Sequence, residues 1–384
     1  MALSSDSGKA LWIVPVPEFG GVARHVLDVA RAGLPGYELY VLAPEGALTR
    51  SLKELGVKVF ADRSFGTEAG FKSSYTRLNE IIEQIKPDIL HSHLAYADIV
   101  AAAVVTARKV GRLKKRDLWV PLLATTEHGI ADRGSVYNSN RLRALTMKAI
   151  HLARLQVTDI KIAVSASTAE QMKKQWGARG VAVVRNGVDY DGIRVEVSSS
   201  HLPNETGQPR ILSLSRLSEE KGLEILIPAF AEYLKANPKA RLEVAGVGPL
   251  RGRLEQEVAA LGIQDSVSFP GFVKPLEAMG RNDMVVQLSV WENLSYTLLE
   301  AKAAGLRVVA TDVGGNAEIV DENELVPPLA GMSKDEAISL VSAAINRVWS
   351  QAVVPGKTLP SRGEMCQEIA GIYRKGGQIN NGDI

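Results

Sequence analysis

The chain has 384 residues, 46% hydrophobic and 23% charged, an ordinary globular balance with enough length for two cores. No run of eighteen or more apolar residues marks a membrane span, and the polar stretch Met1 to Lys9 lacks the apolar core of a secretory signal. The net charge of +2 hides an asymmetry, with 26 Lys and Arg against 18 Asp and Glu in residues 1–190 and 19 against 25 in residues 191–384.

In chain order, short apolar runs alternate with longer amphipathic segments, the pattern of βαβ units and parallel sheets. Strands are expected in the first half at Leu11–Val16, Leu39–Ala43, Val57–Phe60, Ile89–Ser92, Leu122–Thr126, Ile162–Ser165 and Val181–Val184. The basic excess falls on Arg108, Lys109, Arg112, Lys114, Lys115 and Arg116, then on Arg141, Arg143, Lys148 and Arg154. Such clusters ordinarily form a solvated face, and they also suit peripheral contact with an anionic membrane or an anionic acceptor. No nucleic acid partner is expected, because no aromatic-interleaved basic groove or nucleic-acid module is visible. From Ser198 through Asn204 and Gly207 to Pro209 the chain is polar and turn-rich without periodicity, as a linker requires.

In the second half, strands are expected at Ile211–Leu214, Leu242–Ala245, Val267–Phe269, Val285–Leu288 and Val308–Thr311. A helix after Lys221 stops at Asn237-Pro238, and another from near Leu250 stops at Gly262. Met365–Tyr373 has helical periodicity, while the Gly/Asn-rich tail from Gly376 to Ile384 reads as frayed. The lone cysteine, Cys366, excludes an internal disulfide and a cysteine-cluster metal site, and a reducing, cytoplasmic location is expected. The fold class is therefore α/β, with two Rossmann-like doubly wound domains. The expected division is 1–190 for the first domain, 191–209 for the linker and 210–355 for the second. Residues 356–384 make a C-terminal helix and tail placed to return to the first domain.

In open α/β sheets, chemistry gathers in loops beyond the strands' carboxyl ends. After Ile211–Leu214 stand Arg216 and Lys221, two cations just before a helix start, a combination able to neutralise a diphosphate. After Val285–Leu288 comes Glu292, then Asn293, Leu294 and Ser295, with Ser295 placed to cap a helix from Tyr296 through Thr297 to Glu300. Glu300 could accept both hydroxyls of a ribose and Glu292 those of a sugar. If the intervening residues were helical the two would lie about 12 Å apart, beyond the roughly 5–9.5 Å of paired glycosidase carboxylates, so they read as separate binding groups. Gly20-Gly21 and Gly246-Val247-Gly248-Pro249 are turns where backbone amides could approach a phosphate or sugar closely. His91-Ser92-His93 invites a metal reading but offers no obvious third ligand, and no metal is expected. His128, before Gly129 at a strand end, is better placed to meet substrate.

Taken in order from Gly20 to Gly305, these segments resemble the family 4 retaining glycosyltransferases of the GT-B fold. Gly20-Gly21-Val22-Ala23-Arg24-His25 is similar to that family's first glycine loop, Thr126-Glu127-His128-Gly129 to its Thr-x-His-Gly segment, and Arg185-Asn186-Gly187-Val188-Asp189 to its Asn-Gly-Val-Asp segment. Arg216 to Lys221 resembles the Arg-x4-Lys phosphate motif, and Gly246 to Pro249 the Gly-x-Gly-Pro turn. Gly271-Phe272-Val273 resembles the segment near the base, and Glu292 to Glu300 has the Glu-x7-Glu spacing, continued by Ala301-Lys302-Ala303-Ala304-Gly305. The resemblance implies two domains facing across a cleft and transfer, with retention, of a sugar from a UDP- or GDP-type donor. The acceptor hydroxyl would be carbohydrate, lipid-linked or on a small molecule. It needs neither cofactor nor divalent metal. Arg216 and Lys221 would hold the diphosphate, Glu300 the ribose, Glu292 and the amides after it the donor sugar, and His128 the transferred sugar. Asn293-Leu294-Ser295 stands where many members have Gly-Phe-Gly, so side chains replace two glycines beside the sugar; Ile193 replaces the usual Phe as a packing change. A same-fold epimerase would need no acceptor, and a degenerate subunit would bind nucleotide without turnover. Asp189-Tyr190-Asp191 spells a metal-binding Asp-x-Asp, yet its place at the domain boundary suits a cap or brace.

Overall fold

The computed structural model describes residues 7–17, 20–130, 141–353 and 357–381. They form two compact α/β units, one from residues 1–187 with 360–384, the other from 188–359. In the first unit the strands are β1 (Gly8–Ile13), β2 (Tyr37–Ala43), β3 (Lys58–Ala61), β4 (Ile89–His93), β5 (Leu122–Glu127), β6 (Ile160–Ala163) and β7 (Val181–Val183). Their order is β3-β2-β1-β4-β5-β6-β7, and each neighbouring pair is parallel. Strand alternation sends Leu11 and Ile13 of β1 into one core with Leu78, Ile81 and Val104, and Ala10 and Trp12 into the other with Val26 and Leu27. Both faces are thereby covered, which a parallel sheet requires.

The second core also takes Met365, Cys366, Ile369, Ala370 and Tyr373 from the helix Arg362–Asn381. That helix corrects the frayed-tail expectation, since it continues through Gly376 to Asn381. A Cβ at Gly376 would lie 2.6 Å from Ile160 Cδ1, so the glycine permits close packing on the sheet where composition alone suggests disorder. Residues 382–384 lie outside the described residues.

The second unit contains β8 (Arg210–Leu214), β9 (Arg241–Ala245), β10 (Val267–Gly271), β11 (Met284–Gln287), β12 (Arg307–Thr311) and β13 (Leu325–Val326). They are parallel in the order β10-β9-β8-β11-β12-β13. The helix Leu223–Leu234 buries Leu223, Leu226, Ile227 and Phe230 on one stripe against this sheet's core. Strand β13 is invisible in the sequence because two residues carry no periodicity.

The stretch expected as linker opens with a helix, Tyr190–Ser199, rather than loop. Ile193 and Val197, one turn apart, are buried, and Asp189 caps the helix by accepting from Gly192 N at 3.0 Å. Each sheet reverses its winding once, between β1 and β4 and between β8 and β11. The carboxyl ends flanking those two points are where an open α/β sheet accepts ligands.

Candidate active site

In the second unit the switch point lies between the loops that carry Arg216, Lys221 and Glu292. After β8, a short 3-10 turn Glu219–Lys221 ends at Gly222, whose φ of 65° is left-handed and whose Cβ would stand 2.2 Å from Leu288 O. Only glycine lets this loop lie against the end of β11. Lys221 Nζ then reaches Glu292 Oε1 in an ion pair, and Ser289 Oγ donates to the same oxygen at 2.9 Å. Arg216 behaves differently: its side chain is 75% exposed and pairs with Glu220 at 3.0 Å, a carboxylate that also accepts from Ser218 Oγ at 2.7 Å. Lys221 is thus locked in place while Arg216 projects into solvent.

Ser295 caps the helix Tyr296–Ala303 as expected, accepting from Leu298 N at 3.4 Å, while its hydroxyl donates to Gln287 Oε1 at 2.8 Å. Leu294 is buried, so its side chain leaves the loop's open side, and Asn293 is held through its carbonyl, which accepts from Gly315 N at 2.7 Å. Thr297 Oγ1 reaches Leu214 O at 3.5 Å, tying the helix start to the end of β8, and Glu300 is buried in the second turn. Gly246 and Gly248 follow β9. A Cβ on them would lie 1.8 Å from Ser215 O and 2.3 Å from Leu217 O, so both serve the close approach that shapes the Arg216 loop. Val273 follows β10 and is half-buried beside an exposed Phe272. Sequence reasoning missed Gly314: with φ 57° and a Cβ that would sit 1.8 Å from Glu292 O, it lets the loop after β12 wrap Glu292 and Asn293. The Gly314-Gly315 pair after a predicted strand was the available signal.

In the first unit, Gly20 caps the helix Gly21–Ala32, and a Cβ on Gly20 or Gly21 would meet nothing within 4 Å. That helix carries His25 beside Trp12 of β1, with ring centroids 5.7 Å apart and nearly parallel. His25 Nδ1 lies 3.0 Å from Asn186 Oδ1. At the end of β4, His93 Nδ1 is 2.9 Å from His128 Nε2. His91 is committed elsewhere: Tyr373 hydroxyl contacts Nδ1 and Thr126 Oγ1 lies 2.8 Å from Nε2. Burial holds the imidazole of His25 down at about 4, and those of His91, His93 and His128 well below the usual histidine range. Among the described residues His91 takes no part in a wider group of possible metal ligands, but His25, His93 and His128, a trio that the His-x-His spacing does not suggest, offer ring nitrogens all within 4.8 Å of one another. A helix 68 residues upstream of His93 supplies what strand spacing cannot reveal.

The basic clusters also divide. Arg108 is buried, bonded to Asn79 at 2.6 Å and to Glu83. Arg154 is buried between Asp98 at 2.6 Å and Glu127 at 2.8 Å, and burial outweighs it in pushing the Glu127 carboxyl up to about 7. Lys109 pairs with Asp159 at 3.2 Å. Arg112, Lys114, Lys115, Arg116 and Lys148 are exposed; the side chains of Arg141 and Arg143 lie outside the described residues.

Residues 19–191 match the family described as Glycosyltransferase Family 4, and residues 196–349 that described as Glycosyl transferases group 1. The chain is 26% identical over 346 residues to a phosphatidylinositol N-acetylglucosaminyltransferase component from Arabidopsis thaliana, covering 86% of this chain and 72% of that one. Over a shorter stretch of 114 residues, 29% of this chain and 26% of the other, it is 39% identical to the alpha-monoglucosyldiacylglycerol synthase of Streptococcus pneumoniae. Its fold matches that of Anabaena HepE, solved in complex with UDP and glucose, at a TM-score of 0.70 and 19% identity, covering 96% and 99% of the two chains.

Proposed function

Since the chain belongs to family 4 of the glycosyltransferases, which have the GT-B fold, we propose that it moves a sugar from a nucleoside diphosphate donor to an acceptor hydroxyl, with retention at the anomeric carbon. The observation that carries this reading is the meeting of Lys221 with Glu292 at the β8–β11 switch point, next to the capped start of the helix Tyr296–Ala303. A cation and the start of a helix there suit a departing diphosphate, and a carboxylate beside them suits sugar hydroxyls. Arg216, whose side chain is 75% exposed, adds its fork to the phosphate oxygens, and Glu300 takes the ribose. In the first unit, a Cβ on Gly20 or Gly21 would meet no atom of the described residues within 4 Å, which leaves room for a ligand there, and His128 is assigned to the transferred sugar.

In the reaction the bond from the anomeric carbon to phosphate oxygen breaks. The acceptor oxygen bonds to the same face, and its proton leaves with the diphosphate. Charge builds on the leaving group, so fixed cations lower the barrier without a protein nucleophile or a divalent metal. UDP in the Anabaena complex supports a UDP-type donor, and the two relatives, named for phosphatidylinositol and a glucosyldiacylglycerol, support a lipid-linked acceptor. Incubation with UDP- and GDP-sugars should release nucleoside diphosphate, faster when a glycolipid acceptor is present. Conversion of the donor to another sugar nucleotide with no acceptor, or binding without release, would overturn the reading.

A further inference from the structure

His25, His93 and His128 come from three separate elements, a helix, the end of β4 and the segment after β5, yet a ring nitrogen of each lies within 4.8 Å of the other two. His25 is 1% exposed and His93 0%, and neither His25 Nε2 nor His93 Nε2 has a hydrogen-bond partner among the described residues. A buried polar atom left unmade costs about 1–3 kcal/mol. Two such atoms on two rings of one three-histidine cluster point to a ligand there.

The chemistry of the cluster narrows what that is. Asn186 Oδ1 can only accept, so the proton of His25 sits on Nδ1 and a lone pair is directed from Nε2. A carbonyl behind an imidazole in this way is the outer-shell partner that orients a metal-bound histidine. Trp12 stacks on the His25 ring, and His91 stacks on His93 at 4.5 Å, so the rings have little freedom to turn away. All three ligands are nitrogen, which favours Zn²⁺ or Co²⁺ over Mg²⁺ or Ca²⁺, and three imidazoles leave the fourth tetrahedral position open.

We infer that His25, His93 and His128 form a binding site for a borderline divalent transition-metal ion of the Zn²⁺ or Co²⁺ type. Bonds of about 2.0–2.1 Å require ligand nitrogens roughly 3.3 Å apart, so the rings draw inward on binding and the His93–His128 hydrogen bond gives way. The ion therefore occupies His128 and inhibits sugar transfer, a consequence that rests on the role proposed for His128 above. It is an inhibitor rather than a cofactor, and turnover after chelation remains.

The test is a Co²⁺ titration of the full chain after dialysis against a strong chelator, followed by the visible d–d bands of four-coordinate cobalt. One equivalent should bind and be displaced by Zn²⁺. His93→Ala should abolish the bands, and Asn186→Ala, which spares all three ligands, should weaken binding about 10–100-fold. Circular dichroism would show which variants remain folded, and His201→Ala, at an exposed histidine of the other unit, should change nothing. An absence of saturable bands in the wild type, or full-strength bands in both His25→Gln and His93→Ala, would overturn the site. Zn²⁺ binding that leaves transfer unaffected would keep the site and overturn the assignment of His128 to the sugar, so the two failures are distinguishable.

Discussion

At the scale of single residues, the two cations of the Arg-x4-Lys motif have different settings. Lys221 is fixed by Glu292, which is itself held by Ser289, whereas Arg216 is 75% exposed and pairs only with Glu220 among the described residues. A group already in place when charge develops contributes to the transition state without reorganising. Lys221→Ala should therefore lower kcat about 10²–10³-fold with a smaller change in donor affinity, and steady-state kinetics with a UDP-sugar would show equal losses in both if Lys221 only binds. Glu300 is the contrasting case, buried and proposed for the ribose rather than for the bond that breaks. Glu300→Ala should weaken nucleotide binding by about 1.5–3 kcal/mol, measurable by calorimetry, and wild-type affinity would remove it from the ribose. The identities of these residues were legible in the sequence because motif order fixes them. Their partners were not: Lys221 is bound by a carboxylate 71 residues away rather than by adjacent Glu219 or Glu220, and local spacing carries no information on such a pair.

At the scale of elements, the helix Arg141–Val157 has a pH-sensitive attachment. His151 stacks flat on Trp176 at 4.2 Å, and its Nδ1 accepts from Arg154 Nε at 2.9 Å. Burial first, and the Arg154 charge second, lower its imidazole to about 4 from an ordinary 6.5. The unfolded chain therefore takes up the proton first: the stabilisation is whole above about 6.5 and is lost as pH falls towards about 4. With the ring half-buried, about 2 kcal/mol should disappear between pH 7 and about pH 4.5. Urea unfolding of wild type and His151→Phe should show the two converging by that amount, and parallel curves would refute it. The helix Tyr190–Ser199 has a second consequence. Asp189 is used as its cap, and Tyr190 hydroxyl donates to Leu359 O at 3.0 Å, so the first two residues of the Asp-x-Asp spelling serve structure. Turnover should survive dialysis against a chelator, and Asp191→Asn should change it little; strict magnesium or manganese dependence lost in that variant would overturn the metal-free mechanism. Strands with five or so apolar residues were legible throughout. This helix was not, because one buried pair, Ile193 and Val197, is too short a pattern to stand out from a polar stretch.

At the scale of the whole molecule, the charge asymmetry seen in the sequence survives folding only in part. Arg108 and Arg154 are internal struts, which composition cannot distinguish from surface charge. What remains is a compact segment after the helix Ala95–Arg112, where Arg112, Lys114, Lys115 and Arg116 are exposed and have no ion pair among the described residues. Val110 at 57%, Leu113 at 84% and Trp119 at 36% exposure stand among them, and cations interleaved with exposed apolar side chains suit an anionic bilayer surface better than bulk water. No helix among the described residues is long and apolar enough to cross a membrane. About 1 kcal/mol per cation near an anionic surface gives roughly 4 kcal/mol for the four, screened as the Debye length falls to about 8 Å at physiological salt. At low ionic strength the protein should sediment with phosphatidylserine-containing vesicles and not with neutral ones, and added salt should release it. Reversing Lys114, Lys115 and Arg116 together to Glu should abolish sedimentation while leaving transfer to a soluble acceptor intact, since none of the three lies among the donor-binding loops. Equal sedimentation with both vesicle types, or binding unchanged in the reversed variant, would show that the basic segment is only a solvated face.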